Sequence, residues 1–229
     1  LQTGGVLPAP SALPALPAHW GSLAVADLQL QPKLGWDRGF WEHFEPGEVG
    51  AQGMLSAFCE GAVRGYKEQR NLPDRVGTSR LSPHLHFGEI SARQIHEQVA
   101  ALPSMANFAA DLKHFVSELG WREFAHHLLY HFPHTSDINM NPRFADFDWV
   151  EPNPEQLHAW QRGRTGIPIV DAGMRELWHT GWMHNRVRMI VASFLCKNLR
   201  YHWIHGARWF WDTLLDADLP NNTLGWQWS

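Results

Sequence analysis

The sequence predicts an all-α, multi-helical fold. Three observations favour it: apolar residues recur at the spacing of one helical face, alternating runs of β-branched residues are few, and Pro, Gly and Ser divide the chain into helix-length segments. The chain has 229 residues, 44% hydrophobic and 18% charged. It is therefore long enough to bury one sizeable core and too apolar to be disordered.

The N-terminal segment is expected to be a linker. Residues 1–35 are low in charge and rich in Pro, Ala, Leu and Gly, which is typical of a semi-rigid connection. Without a basic leading region, and with prolines interrupting every apolar run, they do not resemble a signal peptide. Because the chain lacks an initiator Met, we expect the linker to join a helical domain over 36–229 to a segment upstream.

The helices of this domain follow from apolar spacing and from capping residues. A helical pattern begins after Gly47, where apolar residues from Met54 to Tyr66 follow the i, i+3, i+4 rule. Ser91 is expected to cap a helix over 92–101, which ends at Pro103.

The C-terminal two thirds of the domain continue this pattern. Residues 105–132 are expected to form one long helix, or two with a kink near Gly120, and 133–154 a polar loop. Further helices are expected at 155–162, 169–180, 184–200 and 206–215.

Composition excludes some classes of function. No apolar run approaches the roughly 20 residues that span a bilayer, so no integral membrane protein is expected. Cys59 and Cys196 lie far apart in apolar contexts and are expected to be reduced core residues of a cytoplasmic protein. The net charge of −4 does not by itself indicate a nucleic-acid binder, although binding depends on where the charges lie.

One segment combines positive charge with aromatic rings. Between Glu176 and Asp212 there is no acidic residue, while Arg186, Arg188 and Lys197 are among its cations and Trp and Phe are frequent. Such a segment either contacts phosphates and stacks on bases or a flat cofactor, or forms a solvated basic face over a tryptophan core.

Two motifs contain groups capable of binding or chemistry. The run 77–83 (GTSRLSP) has three hydroxyls, an arginine and several backbone N–H groups, which either cradle a phosphate or form a capped turn. Asp216 and Asp218 follow an apolar helix, and such a pair can perform acid–base chemistry, bind metal, accept hydrogen bonds from a polar ring edge or pair with Arg188.

A metal site and a nucleophile receive less support. His127 and His131 are spaced i, i+4 but lack a Cys or Glu-x-x-His partner, so they are interpreted as helix-face histidines and no metal is expected. No serine lies in a nucleophile elbow and neither cysteine has an activating partner. An enzyme built from these residues would need a cofactor.

Taken together, five motifs resemble the FAD-binding helical domain of the photolyase and cryptochrome family, most closely that of bacterial photolyases that act on cyclobutane pyrimidine dimers. The resemblance covers about 36–229 and preserves motif order. The motifs are GTSRLSP (77–83), ELGWREF (118–124), GIPIVDAGMREL (166–177), GWMHNRVRMI (181–190) and DADLPNNTLGWQW (216–228).

The resemblance implies a non-covalent FAD held in a bowl of helices. Asp216 and Asp218 match residues around the isoalloxazine and ribose, Arg188 pairs with the first carboxylate, and Asn222 faces flavin N5. The remaining cofactor-binding residues implied are Tyr66, Thr78, Ser79, Arg80, Leu81, Ser82, Phe115 and Ala217.

The resemblance also implies a pocket for a flipped-out DNA lesion. Photolyases are among the base-flipping enzymes, and a damaged pair is easier to unstack than an intact one. Glu118 would hydrogen-bond or protonate the base. The other substrate-binding residues implied are Arg70, Trp121, Arg122, Asn185, Arg186, Met189 and Trp228.

The implied chemistry is driven by light. One electron passes from excited, reduced flavin to the dimer, the cyclobutane ring splits and the electron returns, so no acid–base pair is obligatory. Trp226, Trp203 and Trp149 resemble the family's tryptophan chain, which photoreduces the flavin. Histidines would stand in place of Asn185 and Met189 in an enzyme for six-four lesions, which argues against that substrate.

Two departures from the family pattern and two alternative functions accompany the resemblance. The family's N-terminal domain, which often holds an antenna chromophore, is absent, and the family's helices continue beyond the last motif, so we expect a C-terminally truncated fragment. A cryptochrome-type signalling flavoprotein is the alternative function, followed by a flavin-free nucleic-acid-binding module. The expected partner is DNA containing pyrimidine dimers, bound by a monomer.

Overall fold

The computed structural model describes residues 5–15, 17, 19, 21–102 and 108–228. These residues contain eleven α-helices and no strand. The helices are α1 Arg38–His43, α2 Glu48–Glu60, α3 Tyr66–Gln69, α4 Ser82–Phe87, α5 Ala92–Ala100, α6 Ala109–His131, α7 Pro154–Gln161, α8 Pro168–Thr180, α9 Asn185–Ser193, α10 Trp203–Thr213 and α11 Leu219–Trp228.

The predicted cap of α5 is confirmed. The Ser91 hydroxyl accepts a hydrogen bond from Gln94 N at 3.2 Å, and Gln94 Oε1 accepts one from Ser91 N at 2.8 Å. This reciprocal capping box satisfies backbone donors that the first turn would leave unpaired. The helix ends at Ala100, while Pro103 lies outside the described residues.

Two predictions need correction at the C-terminal end. The expected helix over 184–200 is α9 followed by one π-helical turn, Phe194–Asn198. The expected helix over 206–215 begins three residues earlier, at Trp203. Helix α11 was not predicted, because its Pro220 and Gly225 are typical of loops. The long α6 is one continuous helix through Gly120.

The helices bury two hydrophobic clusters. The first contains Leu55, Phe58, Ile95 and Phe115, from α2, α5 and α6. The second is formed by α7–α11 around Trp160, Met183, Leu195 and Trp226. Helix α6 packs on α3 and α5 and also on α11, so it connects the two clusters. The candidate site residues lie on these helices and in the loops that connect them.

Both cysteines are buried free thiols. Burial raises the pKa of Cys196 to about 12, and burial together with the charge of Glu60 raises that of Cys59. Because the thiolate is the reactive form, both thiols are unreactive near neutral pH. In the part of the chain that the structure describes, no helix is both long and apolar enough to cross a bilayer.

Candidate functional site

Two adjoining cavities open between the hydrophobic clusters. Their volumes are about 450 and about 300 Å³, and we call them the tryptophan cavity and the loop cavity. They have eight lining residues in common, so the two cavities adjoin each other. The shared residues are Arg70, Glu118, Arg122, Asn185, Arg188, Asp216, Asp218 and Asn221.

The loop cavity contains the segment 78–82, which the resemblance assigned to the cofactor. Thr78, Ser79, Arg80, Leu81 and Ser82 all line it, together with Tyr66 and Phe115. Burial raises the pKa of Tyr66 to about 12, so its hydroxyl keeps its proton. Tyr66 therefore remains a hydrogen-bond donor at any physiological pH.

Arg80 adopts an unusual conformation in this segment. Its φ angle is +52°, in the left-handed region that non-glycine residues rarely occupy. Its guanidinium carbon lies 4.6 Å from the centroid of the Trp182 ring, which also lines the loop cavity. The cation is therefore held against an aromatic face, a contact that stabilises both groups. Trp182 was not predicted as a site residue.

An ion pair between Arg188 on α9 and Asp216, in the segment before α11, lies at the junction of the two cavities. Arg188 Nη2 donates to both Asp216 oxygens, at 2.8 and 3.1 Å, and its Nε donates to the Met183 carbonyl at 2.8 Å. The Asp216 side chain is only 3% exposed. This is the pairing that the resemblance implied, and a buried carboxylate requires such a partner.

Asp218, directly before α11, and Asn222, in its first turn, also line the tryptophan cavity. Asp218 Oδ1 accepts hydrogen bonds from Asn221 N and Nδ2, at 3.0 and 2.6 Å, and its Oδ2 lies 3.4 Å from His126 Nε2. Asn222 Nδ2 donates to the Ala207 carbonyl at 2.9 Å. The orientation of the Asn222 amide is thereby fixed, and its carbonyl oxygen and its second N–H remain to be offered to a ligand.

The residues assigned to the DNA lesion line the tryptophan cavity. The ring centroids of Trp121 and Trp228 lie 6.2 Å apart, and the two residues are 52% and 72% exposed. Glu118 Oε2 lies 2.7 Å from Arg70 Nη2, so this carboxylate is held by an ion pair. The lining also includes Asn185, Arg186, Met189 and Ala217.

The arginines Arg70, Arg186 and Arg188, which line the tryptophan cavity, have different partners. Arg70 and Arg188 form the ion pairs described above. Arg186 donates instead to the neutral Asn71 Oδ1, at 2.6 and 2.8 Å. Among the described residues it therefore keeps a charge that no carboxylate neutralises.

The three tryptophans of the implied electron chain lie at different depths. Trp226 lines the tryptophan cavity and is buried, with its ring 4.9 Å from Phe210 and 6.2 Å from Trp160. Trp203 is buried in the same cluster, and Trp149 packs against its periphery beside His202. Trp149 and Trp203 line neither cavity, whereas every other predicted site residue lines at least one.

The histidines considered as metal ligands pack on each other. The rings of His127 and His131 are 4.4 Å apart on α6. Among the described residues, no three His, Cys, Asp or Glu side chains are grouped so as to hold a metal ion.

His184 and His202 cap the N-termini of α9 and α10, and neither cap was predicted from the sequence. His184 Nδ1 accepts a hydrogen bond from Arg186 N at 3.2 Å at the start of α9, and His202 Nδ1 accepts one from Ile204 N at 3.3 Å at the start of α10. Histidine is not among the favoured capping residues, which is why the pattern gave no signal. Both caps require an unprotonated Nδ1.

Acid is expected to weaken these caps. Burial lowers the pKa of both His184 and His202 below 6.5, and the charges of neighbouring arginines lower that of His184 further. Since the unfolded chain then takes up protons first, this contribution to the free energy of unfolding is complete above pH 6.5 and is lost as the pH falls below it.

Urea denaturation at pH 7.5 and pH 5.5 measures the effect. The double variant His184→Asn, His202→Asn keeps a capping acceptor without the titration, and we expect a smaller loss of stability between the two pH values. A cap is worth about 1 kcal/mol. An identical pH dependence in the double variant would contradict this account.

Most of the chain is similar in sequence to proteins of one known family. The family model for the FAD binding domain of DNA photolyase matches residues 115–229. A deoxyribodipyrimidine photo-lyase of Agrobacterium fabrum is 48% identical over 199 residues, covering 87% of this chain and 41% of that protein. Cryptochrome-1 of Arabidopsis thaliana is 40% identical over 190 residues, covering 80% of this chain and 28% of the relative.

A solved structure extends this similarity to the fold. The bacterial class III photolyase from Agrobacterium tumefaciens matches with a TM-score of 0.88 and 46% identity, covering 93% of this chain and 44% of that one. The chain thus spans less than half the length of the relatives it matches. The predicted multi-helical fold and the predicted cofactor, FAD, are confirmed. The chain belongs to the photolyase and cryptochrome family, and its helices are those of the FAD-binding domain.

Proposed function

We propose that this domain serves the light-driven repair of cyclobutane pyrimidine dimers in DNA, with FAD as the electron donor. One observation carries the proposal: the residues assigned to the flavin and those assigned to the lesion line two adjoining cavities that share eight residues. A cofactor and a flipped-out dimer bound there would be neighbours, as electron transfer between them requires.

The donor set fits a flavin. The loop cavity offers hydroxyls and the Tyr66 donor for phosphates, while the Arg188–Asp216 pair and Asp218 present charged and accepting groups to a polar ring edge. Asn222 offers a carbonyl oxygen, which suits the N–H group at N5 of a reduced ring. FAD, when bound, supplies a light-driven one-electron donor.

The chain's own residues would bind and orient the dimer and would relay electrons to FAD. Trp121 and Trp228 would provide the apolar wall against the dimer, and Glu118, fixed by Arg70, would hydrogen-bond the base. Trp226, Trp203 and Trp149 would carry electrons inward to regenerate reduced FAD. We place the protein in the cytoplasm, since both cysteines are free, and as a monomer on DNA.

Repair of a thymine dimer in single-stranded DNA under blue light tests the proposal. We expect the protein carrying reduced FAD to restore the thymines in the light and not in the dark. Binding of FAD without any repair would overturn the proposal in favour of blue-light signalling, the alternative that the 40% identity to Cryptochrome-1 favours. The residues that the family resemblance assigns to repair, Asn222, Trp121 and Met189, favour the first function.

Trp121→Ala is expected to weaken lesion binding and to leave FAD in place. Base–aromatic stacking is worth about 1–3 kcal/mol, so the dissociation constant for dimer-containing DNA should rise about 5- to 150-fold. Fluorescence anisotropy measures it, and flavin absorbance reports the cofactor. Trp211→Ala is the matched control, because Trp211 is 49% exposed and lines neither cavity. Loss of FAD from the Trp121 variant would make this residue structural instead.

Arg186→Ala is expected to reduce the salt dependence of DNA binding. Each phosphate contact releases counterions, so loss of one contact lowers the slope of log K against log salt by about 1. The control is Arg208→Ala, which removes the same charge from an exposed position on α10. Equal slopes in the Arg186 variant and the unmodified protein would exclude Arg186 from the phosphate contacts.

A further inference from the structure

We propose that Asn139 sets the direction of charge movement along the tryptophan chain by stabilising positive charge on Trp203. The proposal rests on the proposed function, in which Trp226, Trp203 and Trp149 relay electrons to FAD. It adds a residue that lines neither cavity and lies in the loop after α6.

The indole N–H groups of the relay have different partners. Trp203 Nε1 donates to Asn139 Oδ1 at 2.6 Å, in a partly buried setting. Trp226 Nε1 is buried and has no hydrogen-bond partner among the described residues. Trp149 Nε1 donates to the Phe144 carbonyl at 3.0 Å, close to solvent. Counted outward from the cavity, Trp203 is therefore the first tryptophan of the relay whose indole N–H faces an acceptor.

This difference favours the oxidised form of Trp203 over that of Trp226. A tryptophan that has lost an electron is a radical cation, and its N–H is a stronger donor than that of the neutral indole. A facing carbonyl oxygen therefore stabilises the cation more than the neutral ring, and the effect is larger where the dielectric constant is low. Trp226 has no such oxygen at its indole nitrogen.

The electron balance of the step is simple. Trp226 would give up one electron, and the oxidant would be FAD in its oxidised, light-excited form when it is bound. One electron then passes from Trp203 to the Trp226 radical cation, which returns to neutral tryptophan while Trp203 becomes the radical cation. No proton leaves either ring. Asn139 does not exchange electrons and is therefore a positioning residue for this step.

The acceptor is held by the helix that carries Trp226. Gln227 Nε2 donates to the carbonyls of Thr135 and Ile138, at 2.6 and 3.3 Å, and Gln227 Oε1 accepts from Met140 N at 2.5 Å. The residues on both sides of Asn139 are thus fixed to α11. Because an indole N–H only donates, the Asn139 atom facing it must be the oxygen.

The Trp226 ring packs against α10, the helix that begins with Trp203. A Cβ atom added to Gly206 would overlap the Trp226 ring, and Gly206 lies three residues after Trp203 on the same face of the helix. The Trp226 ring therefore contacts the turn of α10 that follows Trp203.

Laser-flash absorption on the FAD-loaded protein tests the proposal. In Asn139→Leu, the population of the Trp203 radical cation relative to that of Trp226 should fall about tenfold, equivalent to about 59 mV for one electron. Asn139→Asp keeps an acceptor oxygen and should restore the relay. Asn141→Leu is the matched control, because Asn141 lies in the same loop and its Oδ1 bonds Arg143 N instead.

Nuclear magnetic resonance of the flavin-free protein provides a second readout. The Trp203 indole N–H should be shifted downfield by its acceptor and should move upfield in Asn139→Leu but not in Asn141→Leu. An unchanged relay in Asn139→Leu, with tryptophan oxidation intact in the unmodified protein, would overturn this inference alone. Absence of any light-driven tryptophan oxidation in the unmodified FAD-loaded protein would overturn the proposed relay together with it.

Discussion

Asp216→Ala is expected to lower the free energy of unfolding by about 3 kcal/mol. Removing one partner of a buried ion pair costs about 3–5 kcal/mol, because the other charge remains without compensation. The lower value applies here, since Arg188 is 26% exposed and keeps its hydrogen bond to the Met183 carbonyl. Urea denaturation measures the loss, and Asp212→Ala, at an exposed position on α10, is the control.

The same variant is expected to lose flavin affinity. A hydrogen bond to a charged group is worth about 1.5–3 kcal/mol, which corresponds to roughly 10- to 150-fold in the dissociation constant of FAD. The double variant Arg188→Met, Asp216→Leu separates the two effects. Replacing both charges by apolar groups should recover stability without recovering FAD affinity. Recovery of FAD binding in this variant would show that the pair supports the fold and does not contact the cofactor.

Gly206→Ala is expected to be the most damaging single-methyl addition within the α7–α11 cluster. The added carbon would overlap three atoms of the Trp226 ring, which is packed against Trp160 and Phe210. Overpacking costs about 1–3 kcal/mol or more. The free energy of unfolding should therefore fall, and the near-ultraviolet circular dichroism of the tryptophans should change.

The control for this substitution has the opposite expected sign. Gly53 lies exposed within α2, and a Cβ there would meet nothing within 4 Å. Alanine is favoured over glycine in a helix interior by about 0.5–1 kcal/mol, so Gly53→Ala should stabilise the protein. A stabilising effect of Gly206→Ala as well would show that Trp226 can move aside.

Local patterns predicted most of the helices, and tertiary packing explains the exceptions. Ser91 and Gln94 form the predicted cap because a capping box needs only residues three apart. Helix α11 escaped prediction because its sequence contains Pro220 and Gly225, and contacts with α6 and α10 stabilise it. Such packing commonly overrides weak helix propensity.

The residues of the candidate site could be predicted from the sequence, but most of the hydrogen bonds that hold them could not. The motifs identified residues such as Asp216 and Trp121, and the resemblance implied the Arg188 pair. The partners of Trp203 and Gln227 lie 64 and up to 92 residues away, in a loop without any periodic pattern. Contacts over such separations are set by the packed fold, so Asn139 gave no signal in the sequence.

The shared wall between the two cavities has a thermodynamic consequence. Arg70, Glu118, Arg188 and Asp216 face both spaces, so an occupant of one space alters the electric field in the other. Linkage requires that the effect be reciprocal: any factor by which FAD raises the affinity for a second ligand is the factor by which that ligand tightens FAD. Under the proposed function, DNA that carries a dimer would then change the affinity for FAD by the same factor by which FAD changes the affinity for that DNA.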